Sequence, residues 1–220
     1  MILASASPRR RQLLERAGFS LEVRPADIDE TRRAGEEPVD LVRRLATEKA
    51  HATWSSLGDC GASEPLVAAD TIVWTASGEV LGKPSDEDAA VRMLRELSGV
   101  VHHVTTGVCL MLPAPGTAAE APVESSFTET TSVRFYPLTD EEIRAYVASG
   151  EPMDKAGAYG IQGAGGLFVA GIEGDWSNVV GLPVARLVRE LDALLRSRGG
   201  AEKDLLFDLL SRKAGDPSTL

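Results

Sequence analysis

The chain is poor in cysteine, has no long apolar run and carries no excess of positive charge. Its two cysteines, Cys60 and Cys109, stand in unrelated contexts. No CxxC pair and no Cys/His cluster with zinc-ligand spacing is present, which argues against a disulfide framework or a zinc module and suits two thiols in a reducing cytoplasm. No apolar run approaches the ~18 residues of a membrane span, so no membrane partner is expected. Met1–Ala4 is apolar but Arg9–Arg11 follow at once, unlike a signal peptide. Lysine plus arginine number 23 against 33 aspartate plus glutamate, a net charge of −10. A general nucleic-acid binder needs the opposite balance. The GxxxxGK[ST] pattern of a phosphate-binding P-loop is missing too. These absences lead to the expectation of a soluble cytoplasmic protein that binds neither nucleic acid nor membrane. A local cluster of arginines can still hold a small phosphorylated ligand.

With 220 residues, 43% of them apolar, the chain can bury a core of ordinary size. Met1–Ala4 reads as a strand. Ser7 (N-cap), Pro8 (first helical position), the stripe Leu13, Leu14, Ala17 and then Gly18 spell a helix. Phe19–Arg24 alternates like a strand, and Asp27–Glu30 is an acidic loop. Pro38–Trp54 reads as a helix and Leu66–Trp74 as a buried strand. A short strand ends at Gly82-Lys83-Pro84, and Ser85 is the expected cap of a helix over Asp86–Leu97. Val100–Leu112 and Ser125–Tyr136 are long strands that suggest an extended hairpin around the Pro/Ala-rich loop 113–122. Thr139–Glu142 forms a capping box before a helix ending near Gly150. Glu151–Gly166 is glycine-rich and polar, and within it Asp154–Gly163 taken alone reads as a flexible loop; Leu167–Ile172 reads as a strand, Gly174–Gly181 as a loop, and a helix starts at Pro183. Leu205–Leu210 is a weak amphipathic helix in the tail. The sum is an α/β fold with a mixed sheet.

Several residues stand out chemically. Cations in the first turn of a helix oppose its dipole, so Arg9–Arg11 beside Ser7 suit an anion there; the alternative is a solvated basic turn. Asp70 lies inside the apolar run Ala68–Val73, where a carboxylate is costly unless paired, metal-bound or protonated; the alternative to a functional group is a strand-end aspartate bonded to backbone N–H groups. Lys49 falls on the apolar stripe of its helix, to snorkel out or to meet a buried anion. Lys83 is an ordinary loop lysine when taken alone. Glu30 and Asp70 could together offer oxygen ligands to magnesium, although the acidic loop by itself reads as solvated. Gln162 can present one donor and one acceptor to a base edge.

Taken together, Ser5–Arg10, Ala69-Asp70-Thr71, Leu81–Pro84, Asp154–Gly163 and Gly174–Pro183 resemble, in order, the motifs of the Maf family of nucleoside triphosphate pyrophosphatases. The resemblance spans residues 1 to about 197. It implies an inosine-triphosphatase-like fold, an elongated mixed sheet with flanking helices and a cleft between two lobes. It divides the chain into a pyrophosphatase domain, 1–198, and a tail, 199–220, that has no counterpart in the family. The implied reaction cleaves a nucleoside triphosphate between its α- and β-phosphates, with a divalent cation, Mg²⁺ or Mn²⁺. The position matching Asp70 is taken as proton acceptor, and those matching Ser7, Arg10, Glu30, Lys49 and Lys83 fall in the shared active site. Subfamilies differ at Arg9, Thr71 and Gln162, and this set resembles the branch acting on dTTP and UTP. A pyrophosphatase for 7-methyl-GTP or for modified pyrimidine triphosphates and a non-catalytic, nucleotide-sensing regulator of cell division stand as alternatives, and a homodimer is left open.

Overall fold

The computed structural model describes residues 1–58, 64–114, 121–197 and 204–214. Cys60 and residues 115–120 of the Pro/Ala-rich loop lie outside these. Strand β1 (Ile2–Leu3) runs parallel to β2 (Glu22–Val23) and to β3 (Leu66–Thr75). Helix α1 (Pro8–Arg16) connects β1 to β2. It starts as the sequence suggests, with Ser7 Oγ accepting from the Arg10 N–H and Pro8 at the first helical position. Of the strand expected over Phe19–Arg24 only β2 forms, and both its residues are exposed.

Antiparallel pairing builds the rest of the sheet. β3 pairs with β4 (Val80–Leu81) and, along its whole length, with β5 (Val101–Leu112). β5 forms the expected long hairpin with β6 (Val123–Phe135), and β7 (Val169–Glu173) closes the far edge. Among the described residues the order is β2-β1-β3-β5-β6-β7, with β4 beside β3, a mixed sheet as expected.

Helix α2 (Pro38–Ser56) lies across β3 and β5. Its buried positions Leu41, Val42, Leu45, Ala46, Lys49, Ala50 and Thr53 follow the three-to-four spacing of one helical face. The contact is close because β5 has a glycine there. A Cβ built on Gly107 would stand 2.2 Å from the carbonyl oxygen of Val42, so backbone meets backbone. Gly107 is the register partner of Asp70 in β3. The helix that carries Lys49 is thereby pressed down at the level of the carboxylate.

Of the four apolar clusters among the described residues, the two largest pack toward opposite ends of the sheet. At one end α3 (Glu87–Leu97) and α4 (Asp140–Val147) enclose Phe135, Tyr159 and Phe168. At the other, α1 and α6 (Val184–Ser197) pack Leu14, Leu187 and Leu191 against Leu3 and Leu110. Helix α7 (Leu205–Ala214) folds back on α6; its Leu209 is buried and reaches Gly18. The described part of the tail is thus packed on the domain. Among the described residues no helix is long and apolar enough to cross a membrane.

Three local expectations are corrected. Asp86 caps α3 in place of Ser85, because its Oδ1 accepts from the Ala89 N–H at 2.7 Å while the Ser85 hydroxyl donates to Asp86. The stretch 174–181 contains a short helix, α5 (Trp176–Val180), started by Asp175, whose carboxylate accepts from the N–H groups of Ser177 and Asn178. Residues 151–168 are ordered into three short 3₁₀ turns, Glu151–Asp154, Ala156–Ala158 and Ala164–Phe168, held by bonds described below.

Candidate active site

A cleft of about 1030 Å³ is lined by the start of α1, the middle of β3, the face of α2 and the turns of 151–163. Of the residues singled out from the sequence, Ser7, Arg9, Arg10, Glu30, Lys49, Asp70, Thr71, Lys83 and Gln162 line it, whereas Arg11 does not and instead lies 3.3 Å from Glu15 along α1.

Its floor is an ion-pair cluster. Lys49 Nζ lies 2.6 Å from Asp70 Oδ1 and 2.5 Å from Glu30 Oε1. The Lys49 and Asp70 side chains are only 11% and 12% exposed, whereas that of Glu30 is 60% exposed. Lys49 therefore meets buried charge; it does not snorkel. Burying such a pair costs desolvation that an apolar replacement would avoid, so the pair is weak as a stability device and reads as chemistry. Asp70 Oδ2 has no hydrogen-bond partner among the described residues.

Arg10 does something the sequence did not disclose. Its Nε donates to the Gly181 carbonyl at 2.8 Å and its Nη2 to Thr71 Oγ1 at 2.9 Å. Its Nη1 reaches Ser5 Oγ at 3.1 Å and the Ala69 carbonyl at 2.8 Å. Four of the five guanidinium N–H groups are committed to protein, leaving one for a ligand. Burial lowers its pKa, opposed by the attraction of Asp70 and reinforced by Arg9. The side chain ties the α1 turn, β3 and the end of α5 into one wall. Thr71 belongs to the same knot. Its hydroxyl accepts from Arg10, lies 3.2 Å from the Gly181 carbonyl and 2.9 Å from Thr106 Oγ1.

The remaining groups are freer. Ser7 Oγ accepts from the Arg10 N–H, and its own proton has no acceptor among the described residues. Lys83 and Gln162 are exposed and make no side-chain hydrogen bond to described residues. Arg9 Nη1 is 2.9 Å from Asp154 Oδ2, across the mouth of the cleft.

Sequence reasoning assigned no role to the carboxylates of the glycine-rich segment. Asp154 takes Arg9 on one oxygen and Lys155 Nζ, at 2.6 Å, on the other. Burial works against ionisation there, yet the bonds from Lys155 and Arg9 hold its carboxyl down at about 2. Glu151 accepts from the Tyr146 hydroxyl at 2.9 Å and from the N–H groups of Ala164 and Gly165 at 3.0 and 3.4 Å. Despite its partial burial, these bonds keep it below the ordinary carboxylate value. An acid just before a glycine-rich stretch was the available signal.

Among the described residues no group of three or more His, Cys, Asp or Glu could hold a metal. Glu30 and Asp70 nonetheless converge on one point, the Lys49 ammonium. Two carboxylates so placed fit Mg²⁺, which uses one or two carboxylates and completes its shell with water and phosphate oxygens.

A family model described as "Maf-like protein" matches residues 1–194. A protein named dTTP/UTP pyrophosphatase from Koribacter versatilis is 50% identical over 189 residues, 86% of this chain and 91% of its own. One of the same name from an Anaeromyxobacter species is 51% identical over 200 residues, covering 90% and 89%. Another, from Bacillus cereus, is 49% identical over 191 residues, covering 87% and 93%. A solved structure, that of the Staphylococcus aureus Ham1 protein, aligns at 13% identity and a TM-score of 0.36 over 61% of this chain and 70% of that one, too slight a likeness to bear on the fold.

Proposed function

The chain belongs to the Maf-like protein family, and from that premise we propose that it is a nucleoside triphosphate pyrophosphatase that hydrolyses dTTP and UTP to the monophosphate and pyrophosphate. The observation that carries the reading is the convergence of Arg9, Arg10, Lys49 and Lys83 with Glu30 and Asp70 in one cleft large enough for a nucleotide. Cations that surround a phosphoanhydride stabilise charge as it develops on the leaving group, and the paired carboxylates add an acceptor for a proton.

In the mechanism, water attacks the α-phosphorus and the bond to the bridging oxygen of the β-phosphate breaks. Asp70 Oδ2 takes the water proton, while Lys49 on Oδ1 fixes the carboxylate's direction. Arg9, Lys83 and the free N–H of Arg10 hold the phosphate oxygens, with Ser7 donating from the α1 turn. Glu30 and Asp70 would hold a divalent cation, Mg²⁺ or Mn²⁺, which when bound neutralises phosphate charge and polarises the attacked phosphorus. Gln162 meets the O4/N3 edge of thymine or uracil, an acceptor beside a donor. Thr71, its hydroxyl bound by Arg10, shapes the wall beneath. On this reading the protein works in the cytoplasm on free nucleotides, with residues 1–198 as the catalytic unit and the tail as an addition to it.

A panel of dTTP, UTP, CTP, GTP and 7-methyl-GTP, scored for pyrophosphate, tests the proposal. The expected result is release from dTTP and UTP. Preference for 7-methyl-GTP would overturn the base assignment, and no release from any of them would leave a nucleotide-sensing role instead.

A further inference from the structure

Among the described residues Gln162 has no side-chain hydrogen bond, so its placement depends on its backbone. That backbone is a tight turn, closed by the Gly163 N–H on the Gly160 carbonyl at 3.2 Å. The turn rests on two side chains from outside it. The Tyr146 hydroxyl accepts from the Gly160 N–H at 3.2 Å and donates to Glu151 Oε1 at 2.9 Å. The Glu151 carboxylate then receives the N–H groups of Ala164 and Gly165 on the turn's far side. The fit excludes side chains: a Cβ on Gly163 would stand 2.2 Å from Glu151 Oε1, and one on Gly165 would stand 2.7 Å from the Tyr146 hydroxyl. Residues 160–165 are therefore wrapped around a Tyr–Glu pair, with Gln162 at the apex on the cleft.

We propose that Glu151, supported by Tyr146, is a positioning residue that sets where the Gln162 amide meets the base, and so governs recognition of the nucleobase and not of the triphosphate. The inference rests on the pyrophosphatase reading above and adds to it a residue that borders the cleft but spends its carboxylate on Tyr146 and on the N–H groups of Ala164 and Gly165. The glutamate anchors both flanks of the turn, so its removal frees the apex while the phosphate-facing cations, on α1, α2 and the β4–α3 loop, keep their places.

The test uses the full chain as wild type, Glu151→Ala, Tyr146→Phe, Gln162→Ala and the Glu151→Ala/Gln162→Ala double variant. KM and kcat for dTTP are measured beside the inhibition constant of inorganic tripolyphosphate, which has no base. Glu151→Ala should raise the KM for dTTP about tenfold, the scale of one lost hydrogen bond to a buried partner. The tripolyphosphate constant should stay within about twofold, and in the Gln162→Ala background the glutamate change should add less than about twofold, since the two act through one contact. Tyr146→Phe removes a single hydroxyl and should shift KM the same way even if Glu151→Ala folds poorly. Equal losses for dTTP and tripolyphosphate, or full additivity in the double variant, would overturn the inference. Failure of the wild type to release pyrophosphate from dTTP would instead overturn the functional reading.

Discussion

Gly107→Ala tests the packing that places the site. The added Cβ would lie 2.2 Å from the Val42 carbonyl oxygen, 2.4 Å from its carbonyl carbon and 2.8 Å from the Arg43 nitrogen. All three are backbone atoms, so no rotamer change relieves the clash, and α2 must retreat by about 1 Å to reach ordinary van der Waals contact. Overpacking a core costs about 1–3 kcal/mol, and a rigid obstacle puts this case at the upper end. At about 2–4 °C per kcal/mol for a chain of this size, Tm should fall by about 10 °C. The same retreat carries Lys49 Nζ away from Asp70 Oδ1, now at 2.6 Å. A misplacement of about 1 Å at a reacting centre costs about 100-fold in rate. Calorimetry and initial rates of pyrophosphate release measure the two effects. Replacing glycine by alanine without a clash stabilises slightly, through the unfolded chain. An unchanged or raised Tm with full activity would therefore refute the backbone contact and the account of how α2 delivers its lysine.

The other predictions concern charge. Asp70→Asn should lower kcat by about 10³ or more while dTTP still binds in a calorimeter; near-wild-type turnover would remove Asp70 as the proton acceptor. Arg9→Ala should raise KM or lower kcat for dTTP, and unchanged kinetics would count against the phosphate cradle. Chelation should abolish pyrophosphate release and added Mg²⁺ or Mn²⁺ restore it, the test of a cation held by Glu30 and Asp70. His102 is fully buried beside Phe135 and Tyr159, and burial, with His103 adding to it, pushes its pKa down to about 4. Its folded value lies below its unfolded one, so the unfolded chain binds the extra proton and stability falls as pH drops from about 6.5 to about 4. The loss should approach about 3 kcal/mol, and denaturant titrations of His102→Phe should show a flatter pH dependence than the wild type.

What the sequence made legible was local or periodic. The α2 stripe located Lys49 among apolar neighbours, and the strand run of β3 exposed Asp70 as an anomaly; that these two anomalies answer each other could be suspected but not measured. The Ser7–Pro8 start of α1 and the Thr139–Glu142 box followed from capping chemistry, which acts within a few residues. The failures have a common cause. Residues 154–163 looked flexible because small residues carry no local signal, yet the order of this segment comes from Tyr146 and Glu151 through contacts that skip along the chain. Helix α5 was too short to show a period, and only the Asp175 cap betrays it. The structural bonds of Arg10 were hidden as well, because its partner at Gly181 is 171 residues away.

That last bond has a consequence for how the protein is made. Gly181 closes a wall whose other members, at Ser5, Arg10, Ala69 and Thr71, leave the ribosome long before it. Until that late carbonyl emerges, the Nε–H of the early guanidinium can donate only to water, and the rim of the pocket stays unfinished. The wall is therefore complete only once residue 181 has been made, 171 positions after the guanidinium that it anchors.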